Sequence, residues 1–151
     1  MHSTNSLNLS AYSKGLGEIA LATSNIEQLR DFYKNQIGLE LIKDFFDEGG
    51  NLRISFFKLA GGHEGHTQVL ALFHPRAAEK VSISKTSLHH FAINISATDY
   101  LHLKEKLQKL MLLKDEAYHE WVNWSSLYIN DPDGNTLELV CSGDMAKILS
   151  G

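Results

Sequence analysis

The chain repeats itself. Setting Glu18 against His90 aligns Leu16 with Leu88, Ala20 with Ala92, Ser24 with Ser96 and Leu29 with Leu101. Further along, VLALF at 69–73 falls on TLELV at 136–140, so that Leu70 meets Leu137, Ala71 meets Glu138 and Leu72 meets Leu139. An internal duplication confines a chain to folds built from like units stacked on a shared core. At 151 residues the whole is the length of one domain, with enough chain to bury a sizeable core.

Each half carries the same succession of patterns. Residues 17–23 read as a strand, and Ser24 with Glu27 forms an S-x-x-E capping box. Ile26, Leu29, Phe32, Tyr33 and Ile37 then recur at helical spacing, and Gly38 is placed to end that helix. Strands come next at 39–46 and 52–59 across a DEGGN turn, and a fourth at 67–75 after the loop AGGHEGH. The second half opens with a strand at 87–96, a weaker Ser96/Asp99 cap and an amphipathic helix at 99–111. Two or three strands complete it, the last coming after the turn Asp-Pro-Asp-Gly-Asn. The pattern predicts a single α+β domain over 1–151, made of two tandem βαβββ modules that form a curved sheet around a central cleft. Module 1 covers about 15–75, a linker 76–86, and module 2 about 87–142.

Composition narrows the setting. With 43% hydrophobic and 21% charged residues the chain is a folded protein and not a disordered one. A net charge of -4 gives no electrostatic reason to expect nucleic acid or an anionic membrane as partner. The first residues lack the apolar stretch of a signal peptide, and no apolar run approaches the ~20 residues that span a bilayer. Cys141 is the only cysteine, which forbids an intrachain disulfide. The expectation is a cytoplasmic protein.

On a period of two, Leu137 and Leu139 share one face of the last strand, and Glu138 projects from the other with Thr136 and Val140. Two equivalent halves facing a cleft would bring Glu18, Ala71, His90 and Glu138 to matching places, and three of those four are metal-ligand types. The plainer readings are a hydrogen-bonded core histidine for His90 and a solvated strand carboxylate for Glu138. The repeat favours ligands. His63 and His66 in GGHEGH resemble a metal clip, but a polar glycine-rich loop explains them more simply.

With these features the sequence resembles the vicinal oxygen chelate superfamily, which includes glyoxalase I, fosfomycin-resistance and bleomycin-resistance proteins, epimerases and extradiol ring-cleaving dioxygenases. The likeness covers about 16–141, and HHFAI and DPDGNTLELV look like two of its ligand strands. It implies that Glu18, His90 and Glu138 hold a divalent metal ion (Fe, Mn, Ni or Zn). Glu18 stands where histidine is most frequent, and Ala71 stands where glyoxalase I has glutamate. The succession His119, Leu127–Tyr128, DPDG and Glu138 is similar to the ring-cleaving enzymes, although Ala117 departs from their pattern. The resemblance therefore implies catalytic roles for His119, Tyr128 and His74, the last of which, before Pro75, also reads simply as a loop residue. It implies a metal-dependent enzyme on a small oxygenated chelating substrate, of extradiol-dioxygenase type, acting as a homodimer. The alternatives are a glyoxalase- or epimerase-type lyase or isomerase, and a non-catalytic drug-sequestering protein.

Overall fold

In the computed structural model, which describes residues 9–75 and 88–150, the alternating segments become two four-stranded sheets. The expected linker at 76–86 lies outside those residues, apart from which the element order matches the repeat. The first half comprises β1 (Glu18–Ala22), α1 (Ile26–Asp31), β2 (Glu40–Phe46), β3 (Leu52–Ala60) and β4 (Gln68–Phe73). The second comprises β5 (Phe91–Asn94), α2 (Tyr100–Lys109), β6 (Leu113–His119), β7 (Trp124–Asn130) and β8 (Thr136–Ser142). The strand orders are β1-β4-β3-β2 and β5-β8-β7-β6. In both, the first strand runs parallel to the last and the other pairs are antiparallel. The sheets are topological copies, as the duplication predicts for an α+β fold of two βαβββ modules.

One apolar cluster joins both modules. Leu21, Phe57, Leu70 and Leu72 pack with Ile26, Leu29, Phe32 and Tyr33 of the first helical segment. Leu127, Ile129, Leu137 and Leu139 pack with Phe91, Tyr100 and Leu107. Leu127 and Leu137 are fully buried, each contributing about 1.5–3 kcal/mol by transfer from water. The opposite face of each sheet is thereby left for side chains at the alternate positions.

The helix starts differ from expectation. Ser24 and Glu27 form no capping box; Asn25 caps α1, its side chain accepting from the Gln28 amide at 3.3 Å, and its own amide donates to Thr23 Oγ1 at 3.1 Å. Starting one residue later turns Ile26 and Leu29 toward the core. Ser96 likewise makes no side-chain cap bond, because a short 3-10 turn, Ala97–Asp99, intervenes before α2. Gly38 does end the first helical segment, with φ of 82° in the left-handed region that only glycine enters freely. That segment widens into a π-helical turn at Phe32–Gln36. A terminal helix, α3 (Met145–Ser150), has no counterpart in the repeat; Ser125 anchors its start by donating to the Gly143 carbonyl at 2.7 Å and accepting from the Met145 amide at 3.0 Å.

Two polar links tie these layers together. The Tyr33 hydroxyl, fully buried, donates to Asp131 Oδ2 at 2.7 Å and so joins module 1 to the turn before β8. Burial, reinforced by Asp131, pushes the Tyr33 phenol far up, which keeps it a donor. Arg30 binds both oxygens of Asp44 at 2.6–3.1 Å, and Ser55 Oγ donates to Asp44 at 2.7 Å. Burial works to raise the Asp44 carboxyl, but the bonds from Arg30 and Ser55 outweigh it and hold the group below the usual carboxylate range.

Tyr33→Phe should destabilise the protein by about 1–3 kcal/mol in urea unfolding, the cost of leaving a buried acceptor short of a donor. The depressed Asp44 gives a signed pH dependence. Its stabilising contribution is complete above the unfolded carboxylate value of about 3.9 and disappears as pH falls through the lower folded value. Urea midpoints recorded from pH 7 to pH 3 should therefore fall less steeply in Asp44→Asn than in the parent.

Candidate functional site

Register and alternation assemble the site on the face of the second sheet that points away from its helix. Glu138 in β8 lies between Ala92 of β5 and Tyr128 of β7. Ser126 is two residues from Tyr128 and therefore on the same face. His119, paired with Trp124, ends β6, and His90 immediately precedes β5.

The side chains form a continuous chain of contacts. Glu138 is only 6% exposed, so its charge needs partners. His90 Nε2 lies 3.1 Å from Glu138 Oε2, while Ser126 Oγ donates to Oε1 at 2.5 Å. The Tyr128 hydroxyl lies 3.4 Å from the same Oε1 and 2.8 Å from His119 Nε2. Burial raises the Tyr128 phenol and the nearby Glu138 charge adds to this, against a smaller opposing effect of Ser126. Tyr128 thus keeps its proton at neutral pH. At the other end, His89 Nδ1 lies 2.8 Å from His90 Nδ1.

These residues fit a divalent ion. With His89 on one nitrogen of His90 and Ser126 on one oxygen of Glu138, the remaining Nε2 and Oε2 face each other. Their 3.1 Å separation suits neighbouring ligands whose bonds to one ion are about 2.0–2.2 Å. An imidazole nitrogen with a carboxylate oxygen is a donor pair for Mn, Fe, Ni or Zn. The His90 side chain is 40% exposed, so the pair opens toward solvent.

Glu18 stands apart. It is exposed on β1, where the register puts it on the same side of the first sheet as Ala20, Ala71 and Phe56. Its sheet shares no strand pairing with the sheet of His90 and Glu138. Among the described residues no three His, Cys, Asp or Glu side chains gather as a metal-holding group. His74 is also elsewhere. Its ring lies 3.1 Å from Arg53 Nη1 and 3.0 Å from the Pro75 carbonyl, lining a polar pocket of about 310 Å³ with Ser24, Asn25 and Asp47. His63 pairs with Glu64 at 3.4 Å.

Two participants lie outside the residues that the sequence pattern marks. Ser126 is legible in principle, since it shares the alternation of Tyr128, but serine in a strand carries no chemical flag. Strand alternation would turn His89 away from His90. Both precede the first paired residue of β5, so alternation does not govern them and the rings meet.

The family model of the Glyoxalase/Bleomycin resistance protein/Dioxygenase superfamily matches residues 15–139. Among solved structures, lactoylglutathione lyase from Agrobacterium tumefaciens is similar, with TM-score 0.62, 25% identity, and coverage of 85% of this chain and 94% of that one. A glutamate-to-glutamine mutant of the fosfomycin resistance protein FosX from Listeria monocytogenes, complexed with Mn(II) and 1S,2S-dihydroxypropylphosphonic acid, has TM-score 0.59 and 22% identity. That match covers 91% of this chain and 98% of the mutant's own. A glyoxalase/dioxygenase from Nostoc punctiforme has TM-score 0.60 and 20% identity, covering 94% of this chain and all (100%) of its own. No curated protein matches the sequence.

Glu138→Gln should leave the circular dichroism spectrum unchanged, since the strand and its apolar face remain. Isothermal titration with Mn(II) should then register a loss beyond the roughly 10–100-fold typical of losing an outer-shell partner.

Proposed function

The chain belongs to the Glyoxalase/Bleomycin resistance protein/Dioxygenase superfamily, and on that premise we propose that it is a divalent-metal-dependent enzyme acting on a small substrate that presents two adjacent oxygens. The observation that carries the reading is the unbroken line His119, Tyr128, Glu138 and His90 on one sheet face. His90 and Glu138 would hold the ion. Glu18, exposed on β1, would serve as its third ligand from a second copy of the chain in a homodimer. When bound, such an ion polarises the substrate oxygens and stabilises the negative charge that develops on them.

The remaining work belongs to side chains. The Tyr128 O–H orients a substrate oxygen, and His119 accepts and returns a proton at Nε2, 2.8 Å from that hydroxyl. Trp124 shares this face and is 46% exposed, leaving an aromatic surface for a planar group. Extradiol-type cleavage of a catechol is the specific reaction we favour, because His119 and Tyr128 are in contact beside Glu138. His74, engaged by Arg53, would act only after leaving that partner. A lyase acting on a thiol adduct is the second reading, favoured by the 25% identity to the Agrobacterium lyase. A cytoplasmic setting is part of the proposal and rests on the lone cysteine. No helix among the described residues is long and apolar enough to cross a membrane.

Anaerobic loading with Fe(II), followed by a catechol panel with oxygen uptake recorded, tests the favoured reaction. Turnover of a thiol adduct without oxygen uptake selects the lyase; tight binding of a planar ligand without turnover selects sequestration. In whichever reaction is found, His119→Ala should lower turnover by about 10²–10⁴-fold while sparing metal affinity. Unchanged turnover would remove His119 from the mechanism.

A further inference from the structure

Glu138 carries two oxygens with different neighbours, and the difference is imposed by a residue outside the expected ligand set. Oε2 meets His90 Nε2 at 3.1 Å; Oε1 meets two hydroxyls, Ser126 at 2.5 Å and Tyr128 at 3.4 Å. Each hydroxyl has one proton to donate. Tyr128 has a nearer acceptor, His119 Nε2 at 2.8 Å, whereas Ser126, which also bears on the Tyr128 hydroxyl, has its short contact at 2.5 Å with Oε1. Ser126 is fully buried, opposite Ala117 on β6 and Val140 on β8, so no solvent competes for its proton.

We propose that Ser126 is a positioning residue of this site: its hydroxyl occupies Oε1 of Glu138, so that the carboxylate offers only Oε2 beside His90 and the Tyr128 proton is left to His119. The first consequence rests on the metal-dependent reading above; the second does not, because it concerns the proton arrangement of the protein by itself. A hydrogen bond to a ligating carboxylate fixes its orientation. Without Ser126, Oε1 would be a buried acceptor lacking its short donor, and the nearest replacement is the Tyr128 hydroxyl. Tyr128 would then turn from His119 toward Glu138, and the imidazole would carry its proton on Nε2 instead of accepting there.

The test uses the full chain with Ser126→Ala and Ser126→Thr. Thermal unfolding serves as the control for folding, and two readouts decide. Free Mn(II), measured by electron paramagnetic resonance during titration, reports affinity; ¹⁵N imidazole shifts of His119 in metal-free protein, above the ordinary histidine titration range, report which ring nitrogen is protonated. Ser126→Ala should weaken Mn(II) binding by about 10–100-fold and move the His119 proton to Nε2, and Ser126→Thr should restore both. If the parent binds Mn(II) and Ser126→Ala binds it equally well, the ligand-orienting role is overturned. If the parent binds no Mn(II), the metal reading itself fails, and the His119 shifts alone decide: a changed tautomer in Ser126→Ala supports the positioning role and an unchanged one overturns it. Should Ser126→Ala not fold, Ser126→Cys, close in size and a far weaker donor, replaces it with the same readouts.

Discussion

The carboxylate of Asp131 is the point on which the rest depends. Oδ1 accepts the amides of Asp133 and Asn135 at 3.0 and 2.9 Å, while Oδ2 accepts Asn135 Nδ2 at 2.8 Å and the Tyr33 hydroxyl at 2.7 Å. The first three bonds shape the turn between β7 and β8, with Gly134 in the left-handed region at φ of 84°. The fourth fastens that turn to the other module. Because a one-residue slip in a β ladder exchanges the two faces, the turn decides that Glu138 sits opposite Tyr128 on the open face while Leu137 and Leu139 enter the core. One buried carboxylate thus fixes both the docking of the modules and the facing of the site.

The polar chain on the second sheet gains from being built on central strands. β7 and β8 are paired on both sides, and Ser126 and Glu138 are buried within them. His119 and His90, at strand ends, are the more exposed members. Rigidity in the middle and access at the ends is the arrangement a small-molecule site requires.

Much of the architecture is legible because it rests on period and repetition. The alignment of Glu18 with His90 and of Ala71 with Glu138 survives as identical strand orders with Ala20 beside Ala71 and Ala92 beside Glu138. Glu138 can be named from sequence by alternation along the last strand and His90 by the repeat, whereas His119 and Tyr128 are named by the family resemblance and then found on the same face. The features that escape it are local or non-repeating. Asn25 takes the cap from Ser24 because core facing outweighs the capping-box pattern. His89 leaves the strand rule because it lies before the strand. That Glu18 stands apart from His90 and Glu138 within the chain is not legible, since a repeat specifies equivalent places within modules and not how the modules meet.

The π-helical turn at Phe32–Gln36 bears on how such a chain can change over descent. Phe32 and Tyr33 are consecutive yet both buried, which the wider turn permits, with the Ile37 amide reaching back to the Phe32 carbonyl at 3.0 Å. Removing one residue there would tighten the wide turn into an ordinary α-helical one and leave the residues before and after it on nearly their present faces, because the extra residue is held within the turn. A residue lost from the exposed stretch after Tyr33 would therefore leave the tyrosine hydroxyl aimed at Asp131. Exposed Lys34 and Asn35 are free to drift in identity, and the wide turn that holds them is the place where the stretch between Asn25 and Gly38 can change by one residue without turning its buried side chains out of the core.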